Sequence, residues 1–154
     1  MKKVLFICTG NTCRSPMAEA ILNKMLQDRD HNSHGIISLS AGLNALDDME
    51  ATPQAIEIMR SVGIDLSRHR SRSVDDELLR DVDLILTMTR HHYHQLQEQF
   101  PHVQHKVYTL AEYAGLPTEE VSDPYGQGIK AYRLARQQIE SLLEIIVNRG
   151  DIFS

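Results

Sequence analysis

The chain has 154 residues, of which 42% are hydrophobic and 24% are charged, and its formal net charge is −5. This length and composition favour one globular unit and argue against disorder, which requires low hydrophobicity and high net charge. The negative charge argues against nucleic-acid binding, which usually depends on a basic face, and no apolar run approaches the roughly 20 residues of a membrane span.

Two cysteines are too few for a disulfide framework, and the start Met1-Lys2-Lys3 does not lead into a cleavable signal pattern. We therefore expect a monomeric cytoplasmic protein with one domain, residues 1–154, and with no nucleic-acid or membrane partner. Because the cytoplasm keeps thiols reduced, the two cysteines raise a question of reactivity rather than of structural cross-linking.

The first predicted element is a strand at Val4–Ile7, a continuous apolar run typical of a strand buried on both faces of a parallel sheet. A helix follows, because apolar residues recur at helical spacing from Ala18 to Leu26. Ser15 suits its N-cap and Pro16 its first position. The residues between are therefore a strand-to-helix turn.

The later elements continue the alternation. We predict strands at 36–41, 82–86 and 106–110, and helices that open at Thr52-Pro53, Ser73, Thr89 and about Ile129. This order predicts an α/β fold with an open parallel sheet of about four strands, helices on both faces and a phosphate-binding loop after the first strand. In such sheets the active site lies beyond the carboxyl ends of the strands, where the first turn is located.

The first turn has the properties of an anion site, because backbone N–H groups without intrahelical partners meet the positive end of a helix dipole there. It does not fit the nucleotide-binding pattern Gly-x-x-x-x-Gly-Lys-Ser/Thr. Arg14 can hold two phosphate oxygens in a bidentate fork. Cys8 would lie beneath the phosphorus among N–H dipoles that favour a thiolate, although cysteine at a strand end is also typical of a buried structural residue.

The turn reads Cys8-Thr9-Gly10-Asn11-Thr12-Cys13-Arg14-Ser15-Pro16. It resembles the phosphate-binding loop of the low-molecular-weight protein-tyrosine-phosphatase family, and the resemblance covers essentially the whole chain. The family's second motif is matched by Asp123-Pro124-Tyr125. The resemblance implies that Cys8 attacks phosphorus to form a cysteinyl-phosphate, that Arg14 and the loop amides from Thr9 to Ser15 hold the phosphate, and that Asp123 is the general acid and then the general base. It implies no metal and no other cofactor.

The same resemblance assigns supporting roles. Ser15 matches the serine that steadies the thiolate, and Asn11 matches the asparagine that fixes the loop, a residue type that tolerates a left-handed backbone. The implied supports of Asn11 are Ser40 and His69. Considered alone, the basic run Arg68–Arg72 is typical of a solvated face.

Substrate preference depends on Thr12. Tyrosine-directed members resemble Cys-x-Gly-Asn-Ile-Cys-Arg, whereas the threonine here resembles the bacterial protein-arginine-phosphatase branch. We therefore predict hydrolysis of phosphoarginine on proteins, with Tyr125 as a pocket wall and Asp47 or Asp48 as candidates to meet the guanidinium. The alternative is that threonine at position 12 has no effect on the choice of substrate and that the substrate is phosphotyrosine. The arginine branch implies a protein-arginine kinase as the functional counterpart, in stress regulation and protein quality control.

Other functions are less consistent with the sequence. Arsenate reductases share the loop but relay oxidation to downstream cysteines, and none follows Cys13. A zinc site could be sought at His91, His92 and His94, but no carboxylate or cysteine completes the set, and we expect an exposed polar helix there. A non-catalytic phosphate-binding module would not require Cys8 or Asp123. Finally, Cys13 is close enough in the loop to trap an oxidised Cys8 as a reversible disulfide.

Overall fold

The computed structural model describes residues 2–29 and 35–153. Its strands are β1 (Lys2–Cys8), β2 (Ile36–Gly42), β3 (Leu84–Thr87) and β4 (Val107–Thr109). Its α-helices are α1 (Arg14–Asp28), α2 (Pro53–Arg60), α3 (Asp76–Asp81), α4 (Arg90–Gln99), α5 (Leu110–Tyr113) and α6 (Ile129–Val147), and a 3-10 helix spans Pro101–Lys106. Among the described residues, no helix is both long enough and apolar enough to cross a membrane.

The four strands form one parallel sheet in the order β2-β1-β3-β4. In this order the connection after β1 runs to β2 on one side and the connection after β3 runs to β4 on the other, so the sheet has a topological switch point between β1 and β3. Cys8 ends β1 opposite Gly42 of β2, and Ile7 lies opposite Thr87 of β3. The predicted α/β fold is therefore confirmed, and the turn after β1 opens at the switch point.

Hydrophobic side chains bury both faces of the sheet. On one face Val4 and Phe6 of β1 pack in a cluster with residues of α1, α2 and α6, whereas Leu5 and Ile7 pack on the other face with Leu79 of α3, Leu96 of α4 and others. Alternate residues of β1 thus point into two cores, which explains why its sequence is apolar without interruption.

Two predicted helix starts are wrong. Helix α1 begins at Arg14 after Cys13, so Ser15 lies inside the helix; its hydroxyl bonds to Cys8 and Asn11 instead of capping. Pro16 is tolerated at the third position because N–H groups of the first turn have no intrahelical partner. Helix α3 begins after Asp75, whose carboxylate accepts from the Leu78 N–H, and not at Ser73.

The other boundaries differ less. Thr52 and Thr89 are N-caps as predicted, each with a side chain that accepts a main-chain N–H. Strand β3 starts at Leu84, later than predicted, and β4 stops at Thr109 because a capping box with Glu112 turns the chain into α5. Helix α5 and the 3-10 helix were not predicted, since both are short and lack a full apolar period.

Gly42 allows the turn after β1 to lie directly against β2. A Cβ atom at this position would lie 2.5 Å from the carbonyl oxygen of Thr9 and 3.0 Å from the main-chain nitrogen of Asn11. These neighbours are backbone atoms, which cannot rotate away, so the absence of a side chain at Gly42 sets the position of the turn.

We expect Gly42→Ala to lower the free energy of unfolding by about 1–3 kcal/mol, the usual range for overpacking, because the turn must move. Gly128→Ala is the control, since a Cβ there would meet no atom within 4 Å; it should cost less than about 1 kcal/mol as a weaker N-cap. Urea unfolding of both variants measures the difference, and equal losses would contradict the close-approach argument.

Candidate active site

The turn after β1 surrounds the sulfur of Cys8 with hydrogen-bond donors. The Asn11 main-chain N–H points at Cys8 Sγ at 3.3 Å, and the Ser15 hydroxyl lies 2.9 Å from it. The sulfur is buried at the end of β1, and the residues after it curl into the first turn of α1. Donors arranged in this way stabilise negative charge on the sulfur, and the helix dipole acts in the same direction.

Asn11 holds the loop in its curled form. Its φ is +57°, in the left-handed region that asparagine tolerates. Its amide nitrogen donates to the hydroxyls of Ser15 and Ser40, both at 2.9 Å, and its amide oxygen accepts from the main-chain N–H of Arg72 at 3.0 Å. Nε2 of His69 donates to the main-chain carbonyl oxygen of Asn11 at 2.7 Å. The structure thus brings Ser40 and His69 to Asn11, and the run 68–72 is more than a solvated face.

A half-buried carboxyl group extends this network. The Ser40 hydroxyl donates to Glu19 Oε1 at 2.5 Å. Burial raises the pKa of Glu19 above its ordinary value, while the hydrogen bond from Ser40 and the charges of His69 and Arg72 act against the shift. Glu19 was not predicted from the sequence, where its only signal is an acidic residue beside the apolar stripe of α1.

Arg14 lies under the loop with only 4% of its surface exposed. Its Nη1 donates to the carbonyl oxygen of Val121 at 3.1 Å, and its Nη2 lies 3.6 Å from the carboxylate of Asp123. Its Nε is buried and has no hydrogen-bond partner among residues 2–29 and 35–153. A buried donor without a protein acceptor is costly, so an oxyanion held by the loop would satisfy it.

The segment that carries Asp123 is fixed on the opposite side of the loop. Val121 donates its main-chain N–H to the carbonyl of Met88, after β3, while its carbonyl accepts from Arg14. The carboxylate of Asp123 accepts from the Tyr125 N–H at 3.0 Å. Asp123 therefore shares one site with Cys8 and Arg14, although it lies more than a hundred residues after them in sequence.

A cleft of about 330 Å³ opens over the loop. Its lining includes Cys8, Thr9, Gly10, Thr12, Cys13, Arg14 and Asp123, and its rim carries Leu46, Met49 and Tyr125. The rim side chains are exposed. Asp47 and Asp48 are not among the lining residues, and one carboxylate oxygen of Asp47 accepts from the Ser73 N–H. The carboxylate that faces the cleft is that of Asp123.

Cys13 is a free, buried cysteine at the base of the cleft. Burial and the nearby Cys8 raise the pKa of its thiol to about 12. The two cysteines therefore lie in one loop in different environments, and Cys13 stays protonated at neutral pH.

The prediction of an exposed polar face for the three histidines of α4 is wrong for His92. His91 and His94 are exposed, but His92 is only 2% exposed, with Nε2 2.9 Å from Thr9 Oγ1 and Nδ1 3.0 Å from Thr89 Oγ1. Burial, followed by the charge of Arg14, lowers the pKa of His92 to about 4. The described part of the chain contains no group of three or more side chains that could hold a metal ion.

Comparison with known proteins gives consistent matches. The family model described as low molecular weight phosphotyrosine protein phosphatase matches residues 3–149. A protein-arginine-phosphatase of Bacillus subtilis is 39% identical over 140 residues, 91% of each chain. A probable low molecular weight protein-tyrosine-phosphatase, EpsP, of Ralstonia nicotianae is 34% identical over 149 residues, 97% of this chain and 96% of its own.

A solved structure is equally similar. It is a mutant of the arginine phosphatase YwlE with a phosphorylated active-site serine, and it matches with a TM-score of 0.90 at 36% identity, covering 96% of this chain and 94% of the other. The chain is thus similar along nearly its whole length to phosphatases named for two different substrates.

The role of Ser40 can be tested against a serine two residues away. Both serines lie on β2 and are buried, but Ser38 Oγ has no hydrogen-bond partner in the described structure, whereas Ser40 Oγ joins Asn11 to Glu19. We expect Ser40→Ala to lower the free energy of unfolding by about 1–3 kcal/mol, since it leaves buried polar partners unpaired. Ser38→Ala should be neutral or stabilising. Chemical denaturation of both variants measures the difference, and similar losses would contradict the network.

His92 gives a pH-dependent prediction. An unfolded histidine takes up a proton near pH 6.5, whereas folded His92 stays neutral down to about 4. The unfolded state therefore binds more protons in this window, and His92 should lower the free energy of unfolding by up to about 3 kcal/mol as the pH falls from 6.5 to 4. His92→Gln should lack this loss, whereas the exposed control His94→Gln should retain it. Denaturation at pH 7 and pH 4.5 compares the variants with the parent chain; parallel pH profiles for all three proteins would contradict the assignment.

Proposed function

Because the chain belongs to the low molecular weight phosphotyrosine protein phosphatase family, we propose that it is a protein phosphatase that hydrolyses phosphoarginine residues through a cysteinyl-phosphate. The observation that carries the arginine preference is Thr12, which lines the cleft at the tip of the phosphate loop. The B. subtilis relative at 39% identity is named for the same substrate. The family itself supports the reaction type, the hydrolysis of phosphorylated proteins.

In the proposed first step, Cys8 Sγ attacks phosphorus and an S–P bond forms. The P–N bond to the arginine side chain breaks, and Asp123 donates a proton to the departing guanidine nitrogen. Arg14 and the loop amides hold the non-bridging oxygens as charge develops on them. The 3.6 Å separation of Arg14 and Asp123 supports this arrangement, because it brings the phosphate clamp and the proton donor to the same phosphoryl group.

In the proposed second step, the Asp123 carboxylate removes a proton from water as the water attacks phosphorus. The S–P bond breaks, phosphate leaves, and Ser15 and the Asn11 N–H stabilise the thiolate of Cys8. The phosphorylated active-site serine of the related YwlE mutant supports a covalent intermediate in that protein. Asp123 thus gives one proton to the leaving guanidine in the first step and regains one from water in the second.

Thr12 supports phosphoarginine over phosphotyrosine for two reasons. Its side chain is small and leaves room at the loop tip, and its hydroxyl can bond to the polar nitrogens of a phosphorylated guanidinium. An aryl phosphate would place only its ring beside position 12, and an aliphatic residue there would pack against the ring better than threonine does. Tyr125 is 66% exposed on the rim and would contact the aliphatic part of the arginine side chain.

A second candidate function is a phosphotyrosine phosphatase with the same mechanism. The rim favours it, because Leu46, Met49 and Tyr125 form an exposed apolar border that suits an aromatic ring. The relative from R. nicotianae is named a probable tyrosine phosphatase. The two functions differ in the leaving group and not in the residues that carry the chemistry.

The deciding experiment compares one peptide sequence that carries phosphoarginine, phosphotyrosine or phosphoserine. We expect the highest kcat/KM for phosphoarginine. Thr12→Ile should shift the ratio of kcat/KM for phosphoarginine to that for phosphotyrosine by at least about tenfold towards phosphotyrosine, equivalent to one hydrogen bond.

Thr118→Ile is the matched control, because the same substitution there falls on an exposed residue outside the cleft lining. It should leave the ratio unchanged. A parent chain that prefers phosphotyrosine would reject the arginine assignment, and an unchanged ratio in Thr12→Ile would remove Thr12 from it.

The proposal extends to the cellular setting. The substrates would be proteins phosphorylated by a protein-arginine kinase, in stress regulation and protein quality control, and the enzyme would act as a cytoplasmic monomer. The low molecular weight phosphatase domain would span residues 1–154; the family model itself matches residues 3–149.

We also propose that Cys13 protects Cys8 from irreversible oxidation. Peroxide would oxidise the Cys8 thiolate to a sulfenic acid; Cys13 would then attack that sulfur, form the S–S bond and release water. Both cysteines line the same cleft, which supports the reaction. Because the Cys13 thiol has a pKa of about 12, it must lose its proton during the attack.

After brief peroxide treatment, we expect dithiothreitol to restore most of the activity of the parent chain. A Cys13→Ser variant should recover only a minor fraction, because its sulfenic acid proceeds to sulfinic acid. Activity before peroxide is the reference for each protein. Equal recovery of the two proteins would exclude a protective role for Cys13.

A further inference from the structure

A buried histidine connects the two sides of the switch point. His92 lies in the first turn of α4, after β3, and its Nε2 is 2.9 Å from the hydroxyl of Thr9 in the loop after β1. Its Nδ1 is 3.0 Å from the hydroxyl of Thr89, the N-cap of the same helix. The Thr9 side chain is exposed and lines the cleft. Three polar groups thus form a chain from a helix cap to the wall of the cleft.

One tautomer of His92 gives every polar atom of this chain a partner. The Thr89 hydroxyl oxygen already accepts the main-chain N–H of His92 at 3.2 Å, so its own proton is free to donate to Nδ1. Nε2 then carries the ring proton and donates to the oxygen of Thr9. As a result, the Thr9 hydroxyl proton is left to point away from His92.

The opposite tautomer would have a different effect on the cleft. Nε2 would accept from Thr9, and the Thr9 hydroxyl would present only lone pairs to a bound oxyanion, which is repulsive. A protonated ring would add a second positive charge beside Arg14, and the charge of Arg14 already disfavours it. A neutral ring with its proton on Nε2 is therefore the arrangement that suits an anion site.

We propose that His92 is a positioning residue that fixes the Thr9 hydroxyl so that this hydroxyl donates a hydrogen bond to a non-bridging oxygen of the bound phosphoryl group. His92 itself does not touch the substrate. The loop then gains one side-chain donor in addition to its main-chain N–H groups and Arg14. This role rests on the phosphatase activity proposed above, but it does not depend on whether the substrate is phosphoarginine or phosphotyrosine.

A double-mutant cycle tests the proposal with para-nitrophenyl phosphate as substrate and inorganic phosphate as inhibitor. Thr9→Val removes the hydroxyl at nearly constant shape, and His92→Leu removes the group that orients it. We expect each single variant to lower kcat/KM by roughly 10- to 100-fold, the effect of one hydrogen bond to a charged group, and to raise the inhibition constant of phosphate. The double variant should be no worse than Thr9→Val within about threefold, because both changes remove the same interaction.

Additive losses in the cycle would overturn the proposal, since they would mean that His92 does not act through Thr9. Thr9→Ser, which keeps a hydroxyl, should recover most of what Thr9→Val loses, and failure to recover would also count against it. His94→Leu, an exposed histidine of the same helix, is the matched control and should behave like the parent chain. If His92→Leu fails to fold, the Thr9 variants and the ring tautomer still decide the question.

Nitrogen NMR of the histidine ring provides the independent measurement. We expect His92 to show a protonated Nε2 and an unprotonated Nδ1 at neutral pH, and a protonated Nδ1 would overturn the proposal. This signature separates a positioning role from simple packing, which either tautomer could satisfy. If the parent chain hydrolyses neither phosphoarginine nor a phosphate ester, the proposed function fails, whereas the tautomer and the phosphate affinity of the Thr9 variants still report on His92.

Discussion

The left-handed backbone of Asn11 and the hydrogen bonds that hold it are the constraint on which the site depends. A loop that points successive N–H groups at one anion needs a reversal of backbone curvature, and Asn11 provides it at φ +57°. Such a conformation is costly for most residues, so its surroundings must stabilise it. Ser15, Ser40, His69 and the Arg72 N–H do so from three different parts of the chain.

This arrangement explains why the fold is needed for so small a site. Parallel strands place the end of β1 beside the end of β2, and Gly42 lets the loop lie against it. On the other side, Met88 and Thr89 follow directly after β3. Met88 accepts a hydrogen bond from Val121, and Thr89 bonds to His92. Loops at a switch point are free to diverge, while the sheet beneath them keeps their starting points fixed.

The parts of the site that the sequence could predict lie in contiguous motifs. Cys8 and Arg14 belong to one turn, and Asp123 is recognisable from the residues that follow it. Ser15 shows the limit of local reasoning, because it has the side chain of an N-cap but does not act as one. Its hydroxyl bonds to the sulfur of Cys8 and to the Asn11 amide, and the helix begins one residue earlier. Glu19 and His92 were not predicted because their partners, Ser40 and Thr9, are brought to them only by the packing of strands and helices. Polar residues on otherwise ordinary helices give no local sign of such partners.

The side chain of Thr12 has few ties to the rest of the loop, which bears on evolution. Its carbonyl accepts from the Thr52 N–H, a contact that any residue type could make, and its side chain takes part in none of the hydrogen bonds found among the described residues. Under the proposed role of Thr12, substitutions here would change the preferred leaving group with little penalty in folding, whereas changes at Asn11 or Ser40 would disturb the loop. A scaffold with such a position in its cleft would diversify by single substitutions, in keeping with relatives named for arginine and for tyrosine at similar identity.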